Sequence, residues 1–180
     1  DDCQKLVKKA FLDDNLKNQI DLSSANSINI ARLIPQSFYY FNAYAKLNTM
    51  DEVVFSVPSG NFGNITAGII AKRMGLPVSQ FIASTNANKT VPEYLKTNQY
   101  VPTKSIETIS NAMDVGNPSN MKRILDIYRD VDKLKNNLLA FSFTDRETKN
   151  IIELVFKKFN YLLDPHSVVG FLGLNKFYEM

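Results

Sequence analysis

Val53-Val54-Phe55-Ser56-Val57-Pro58-Ser59-Gly60-Asn61-Phe62-Gly63-Asn64-Ile65-Thr66-Ala67-Gly68 decides how the rest of the chain is read. A β-branched apolar run feeds a Ser-Gly-Asn-Phe-Gly-Asn loop, and an Ala/Ile-rich helical pattern follows at once. Gly60 and Gly63 are expected to adopt positive φ and to let a ligand approach the main chain with no Cβ in the way. The helix start beyond them offers unpaired N–H groups and the positive end of a dipole, so a phosphate can be held there without a lysine. The pattern is not a Walker motif, because no Lys-Ser/Thr follows the second glycine, and the glycine spacing is not that of a dinucleotide fingerprint. Taken alone, the stretch is equally compatible with a plain connecting turn.

Working outward, Glu52–Val57 reads as a strand, Asn64–Met74 as a helix closed by Gly75 with Pro77 soon after, and Val78–Ala83 as the next strand. Strand, helix and strand at this spacing make a βαβ unit with parallel strands and a right-handed crossover. Ligands in such sheets sit outside the carboxyl ends of the strands, which is where Ser59–Asn64 falls. Upstream, Cys3–Leu12 carries Leu6, Val7, Ala10 and Phe11 at helical spacing, and a polar stretch, Asp13–Ser24, follows. Ser27–Leu47 reads as a second helical region with Ile30, Ile34, Phe38, Phe41 and Ala45 as its apolar face. Pro35 interrupts it. An interior proline costs about 3 kcal/mol, so a kink or restart is expected near Ile34.

Downstream, Thr90-Val91-Pro92-Glu93 and Thr144-Asp145-Arg146-Glu147 have the form of capping boxes, the second heading a helix to about Asn160. Asn117-Pro118 reads as a cap followed by a first-turn proline. Ala140–Phe143 is a candidate strand and His166–Phe177 a final helix. No repeat, linker or low-complexity tract divides residues 1–180, which are treated as one domain.

With 44% hydrophobic and 22% charged residues, the 180-residue chain has a globular composition. The net charge of +3 is mild, and Lys8-Lys9, Lys72-Arg73, Lys122-Arg123 and Lys157-Lys158 are scattered pairs read as solvated helix surfaces, so no nucleic-acid partner is expected. Cys3 is the single cysteine, which leaves no disulfide or multi-thiolate metal site within the chain and fits a reducing compartment, the cytoplasm. No apolar run approaches the ~20 residues that span a bilayer, and no charged-then-apolar leader opens the chain.

Several segments, in order, resemble threonine synthase, a pyridoxal-phosphate (PLP) lyase family of fold type II. They are Ser24-Ala25-Asn26-Ser27-Ile28-Asn29-Ile30-Ala31-Arg32, Tyr39-Tyr40-Phe41, Ser56–Asn64, Gly75-Leu76-Pro77-Val78, Phe81–Asn86, Thr90-Val91-Pro92, Ser110–Val115 and Asp164–Gly170. The resemblance runs from Asp2 to about Gly173. It implies an α/β fold, an open twisted mostly parallel sheet with helices on both faces, and a parent enzyme that converts O-phosphohomoserine and water to threonine and phosphate. It carries Gly60, Asn61, Phe62, Gly63 and Asn64 onto the positions that bind the PLP phosphate. The family's Schiff-base lysine has no counterpart here, nor has its Thr-containing strand at the pyridine nitrogen. The chain is therefore expected to be an excised piece of the PLP-binding catalytic region, inactive by itself.

Other candidates are open at this stage. Asn26, Ser27 and Asn29 could cap a helix or face the substrate, and Arg32 could grip a substrate phosphate bidentately or form a surface ion pair. Ser110, Asn111 and Asp114 could contact substrate or shape the pocket floor. His166, the sole histidine, is expected in the first turn of its helix, with no metal role; Phe156, Phe159 and Tyr161 are read as core or surface packing. Two rival functions stand beside the main one: a PLP phospho-lyase of the same fold that yields a keto acid, and a non-catalytic module binding a phosphorylated metabolite.

Overall fold

A computed structural model describes residues 2–25 and 29–180. In chain order the elements are α1 (Asp2–Leu12), α2 (Asp14–Gln19), a 3₁₀ turn (Ile30–Arg32), α3 (Leu33–Lys46), β1 (Val53–Pro58), α4 (Gly63–Arg73), β2 (Val78–Thr85) and α5 (Thr90–Thr97). A second 3₁₀ turn (Asn111–Met113), α6 (Met121–Tyr128), α7 (Val131–Lys135), β3 (Leu138–Ser142), α8 (Asp145–Phe159) and α9 (Pro165–Tyr178) complete them. The sheet has the order β1-β2-β3 and both pairings are parallel, with Phe55 opposite Phe81 and Ala83 opposite Ala140. The expected βαβ unit is therefore β1-α4-β2.

β2 is central and buried on both sides, from Phe81 through Thr85 without a break, as a strand covered by helices on two faces must be. On one face Phe55 and Phe81 stack at 6.2 Å and Tyr40 of α3 meets both edge-on, at 5.1 and 6.0 Å. Gly68 lets α4 close onto these rings: a Cβ there would stand 2.7 Å from both Phe81 and Tyr40. On the other face lies α9. Its Gly170 rests on Pro58, and Ser56 donates to the Gly170 carbonyl at 2.6 Å and bonds the Ser84 hydroxyl at 3.0 Å. Among the described residues, no helix is long and apolar enough to cross a membrane.

Several sequence expectations need correction. The face that α3 buries is Leu33, Ser37 and Tyr40, whereas Ile30, Ile34, Phe38 and Ala45 are exposed. Phe41 of the expected stripe does pack against the core, but the aromatic contact of Tyr40 with the sheet sets which face is buried. The helical region does restart beside Ile34, as a 3₁₀ turn ending at Arg32 gives way to the α-helix at Leu33; Pro35 lies in the first turn of that helix, where its missing N–H has no intrahelical partner to lose. The polar stretch after α1 contains α2, capped by Asp13. Thr90 is no cap: its hydroxyl donates to the Gly116 carbonyl at 2.8 Å. Asn117-Pro118 precedes α6 by a turn, and Asn120 stands at the cap position. Thr144 and Glu147 do form a reciprocal capping box. Lys72 is not simply solvated either, since its ammonium donates to Asn137 at 2.6 Å. Phe156, Phe159 and Tyr161 are exposed.

Candidate functional site

The Ser59–Asn64 loop leaves the C-terminal end of β1 and is fastened to the sheet at once: the Ser59 amide donates to the Ser84 carbonyl at 2.8 Å and its hydroxyl to the Val57 carbonyl at 2.9 Å. The turn is made differently from the expectation. Neither Gly60 nor Gly63 has positive φ; Phe62 does, at +61°, with its ring 1% exposed. A phenylalanine in the left-handed region costs about 1–2 kcal/mol, and burying a ring of that size offsets it. Gly60 is required for another reason. A Cβ there would lie 2.7 Å from the Met113 Cα and 3.2 Å from the Ala112 carbonyl oxygen, so the 3₁₀ turn Asn111–Met113 packs directly on the loop's main chain.

The loop's two carboxamides hold the loop itself. Asn61 Oδ1 accepts from the Ser119 amide at 2.7 Å and the Ser119 hydroxyl at 3.0 Å, while the fully buried Asn120 donates to the Asn61 carbonyl at 3.0 Å. Arg123 in turn donates to Asn120 Oδ1 at 2.6 Å. Asn64 donates to the Pro58 carbonyl at 2.7 Å and accepts from the Ile65 amide at 2.9 Å, and its own carbonyl accepts from the Tyr40 hydroxyl at 2.8 Å. Burial pushes the Tyr40 phenol well above its ordinary pKa, so it stays a neutral donor. The side chains thus brace the turn from both ends. The amides of Gly60, Phe62, Gly63 and Asn64, by contrast, make no hydrogen bond among the described residues. N–H groups at a helix start that have no acceptor among the described residues suit the oxygens of a phosphate.

The structure brings Ser110 and Asp114 to this loop through the Gly60–Met113 contact, but their polar atoms are engaged elsewhere. Asp114 accepts from the Thr108 hydroxyl at 2.7 Å, the Thr108 amide at 3.0 Å and Asn86 at 2.8 Å, and Asn88 reaches it at 3.3 Å. Asn86 also lies within 3.2 Å of the Ser110 hydroxyl. This carboxylate organises the segment between α5 and α6 and joins it to the end of β2. Asn111 is exposed. Asn29 caps the first 3₁₀ turn, accepting from the Ala31 amide at 3.0 Å and donating to the Ser24 carbonyl at 3.1 Å. Arg32 is exposed and donates to the Ala25 carbonyl. Among the described residues, neither bonds to the loop. Asn26 and Ser27 lie outside the described residues.

Sequence reasoning missed Ser119, Asn120, Asn86 and Asn88, all of which shape the loop and its neighbour. Asn86 had a signal, since it directly follows β2 at the carboxyl edge of the sheet. Asn120 had none, because Asn117-Pro118 looked like the start of the same helix.

No protein-family model matches the chain. Its sequence is 48% identical over 177 residues to a threonine synthase from Haemophilus influenzae, a match that covers 95% of this chain and 40% of that protein. The crystal structure of threonine synthase from Escherichia coli superimposes with a TM-score of 0.89 at 45% identity, over 97% of this chain and 41% of that one. A PLP-bound threonine synthase from Brucella melitensis does so with a TM-score of 0.87 at 37% identity, over 97% and 43%. The chain is thus homologous to threonine synthases along nearly all of its own length and shares their α/β fold, while spanning about two fifths of theirs.

Proposed function

We propose that this chain is the phosphate-holding part of a threonine synthase, an enzyme that turns O-phosphohomoserine and water into threonine and phosphate. The observation that carries the reading is the division of labour in the Ser59–Asn64 loop: its carboxamides bond the protein, and four of its main-chain amides have no acceptor among the described residues. The likeness to threonine synthases, one of them PLP-bound, supports the choice of pyridoxal phosphate as the molecule whose phosphate sits there. When bound, that cofactor supplies the electron sink for the chemistry at the substrate's carbons.

What the chain's own residues do is hold and orient. Gly60, Phe62, Gly63 and Asn64 present N–H groups to the phosphate; the contacts of Asn61 with Ser119 and of Asn64 with Pro58 keep those groups aimed. The Asp114 network supports the wall beside Gly60. A lysine to carry the cofactor is assigned to the remainder of the whole enzyme, so the isolated chain is proposed to lack turnover. The test is product analysis with a full-length protein that contains this chain. Threonine and inorganic phosphate formed together from O-phosphohomoserine support the reading; a keto acid, or phosphate-compound binding with no turnover, points to one of the two rival functions.

A further inference from the structure

His166 is placed in a way that the cradle does not use. Its Nδ1 lies 3.1 Å from Asp164 Oδ1, while its Nε2 is buried with no hydrogen-bond partner among the described residues. Asp164 sets the tautomer. Its carboxylate already accepts from the His166 amide at 2.9 Å, the Ser167 amide at 3.2 Å and the Ser167 hydroxyl. An ionised carboxylate has no hydrogen to give, so the ring hydrogen must sit on Nδ1. Nε2 of the neutral ring is then an inward-facing lone pair. A buried acceptor without a donor is rare in folded proteins and calls for one.

Its location suggests which donor. His166, Gly170 and Gly173 follow one another on a single face of α9, at i, i+4 and i+7. Gly170 packs on Pro58 and Gly173 on Ser84 and Ser56, so α9 runs opposite to the strands with its first turn at their carboxyl ends. One turn before Gly170, about 6 Å along the axis, brings His166 past the end of β1 to the level of Ser59 and Gly60. Val169, beside it, packs with Met113, the residue that closes on Gly60.

We propose that His166 Nε2 accepts a hydrogen bond from an O–H or N–H group of the phosphorylated ring compound seated on the Gly60–Asn64 amides. This is a positioning role, and it rests on the cradle reading.

The chain's single histidine makes the test direct: long-range ¹H–¹⁵N spectra of the imidazole, recorded with inorganic phosphate and with pyridoxine 5'-phosphate. The expected result is an Nδ1–H ring whose Nε2 resonance shifts with pyridoxine 5'-phosphate and stays in place with inorganic phosphate. His166→Phe is expected to weaken pyridoxine 5'-phosphate binding about five- to tenfold, leave inorganic phosphate binding within about twofold, and be largely rescued by His166→Gln, whose carbonyl can accept. An Nε2 resonance unmoved in the saturated complex overturns the proposal, and this needs no variant to fold. If inorganic phosphate fails to perturb the loop amides at all, the cradle reading falls first and this inference with it, a pattern distinct from failure at His166 alone.

Discussion

Replacing Gly60 with alanine sets two effects of opposite sign against each other. Since Gly60 does not have positive φ, alanine can adopt its backbone conformation, and the loss of unfolded-state freedom should by itself stabilise by about 0.4–1 kcal/mol. Against this, the new Cβ would start 2.7 Å from the Met113 Cα. Carbon atoms prefer about 3.5–4.0 Å, so the main chain of the 3₁₀ turn must retreat by about 1 Å. No rotamer change can relieve a clash with backbone. Overpacking of this kind costs about 1–3 kcal/mol, and the retreat also drags Asp114 away from Thr108 and Asn86. The steric effect wins, with an expected net loss of about 1–2.5 kcal/mol, a fall in Tm of about 2–10 °C for a chain of this size. Thermal unfolding followed by circular dichroism measures it. A Tm equal to or above that of the parent would refute the reasoning, because it would mean that the turn does not rest on the loop.

Three further outcomes follow from the same geometry. Asn61→Leu leaves the Ser119 amide and hydroxyl without their acceptor and should cost about 1–3 kcal/mol in urea denaturation; a loss below 0.5 kcal/mol by this measure, roughly the floor for a net hydrogen bond, would remove Asn61 as a brace. Phe62→Gly relieves about 1–2 kcal/mol of left-handed strain but gives up a buried ring worth about 3–5 kcal/mol on truncation, so net destabilisation of about 2 kcal/mol is expected, and a more stable variant would contradict it. The Ser167 hydroxyl, with the Ser167 amide and the His166 contacts, holds the Asp164 carboxyl down at about 2. Its folded value lies below its unfolded one, so its contribution is complete above about pH 4 and lost as pH falls towards 2. Urea midpoints of the parent and Asp164→Asn should differ by a constant amount above pH 5 and converge below pH 4; parallel curves throughout would deny the effect.

The βαβ core was legible because its signals were local: β-branched runs of strand length, a glycine closing α4 and a complete capping box at Thr144. The buried face of α3 was not, since it is chosen by Tyr40 reaching Phe55 and Phe81 far along the chain, and hydrophobic periodicity cannot register a hydroxyl that also bonds the Asn64 carbonyl. The loop stands out in the sequence for a partly mistaken reason. Its glycines suggested positive φ, but Gly60 is small because Met113 sits on it, and the left-handed residue is Phe62. Ser110 and Asp114 stand out in the sequence as polar residues, but the bonds to Thr108, Asn86 and Asn88 that occupy them depend on the end of β2 lying beside them.

Titration of the ¹⁵N-labelled chain with inorganic phosphate, followed amide by amide, tests the cradle most directly. The predicted result is saturable downfield movement of the Gly60, Phe62, Gly63 and Asn64 N–H resonances, with the Asn61 and Asn64 side-chain amides little changed. Movement confined to residues around the scattered lysine pairs, with those four amides still, would contradict it.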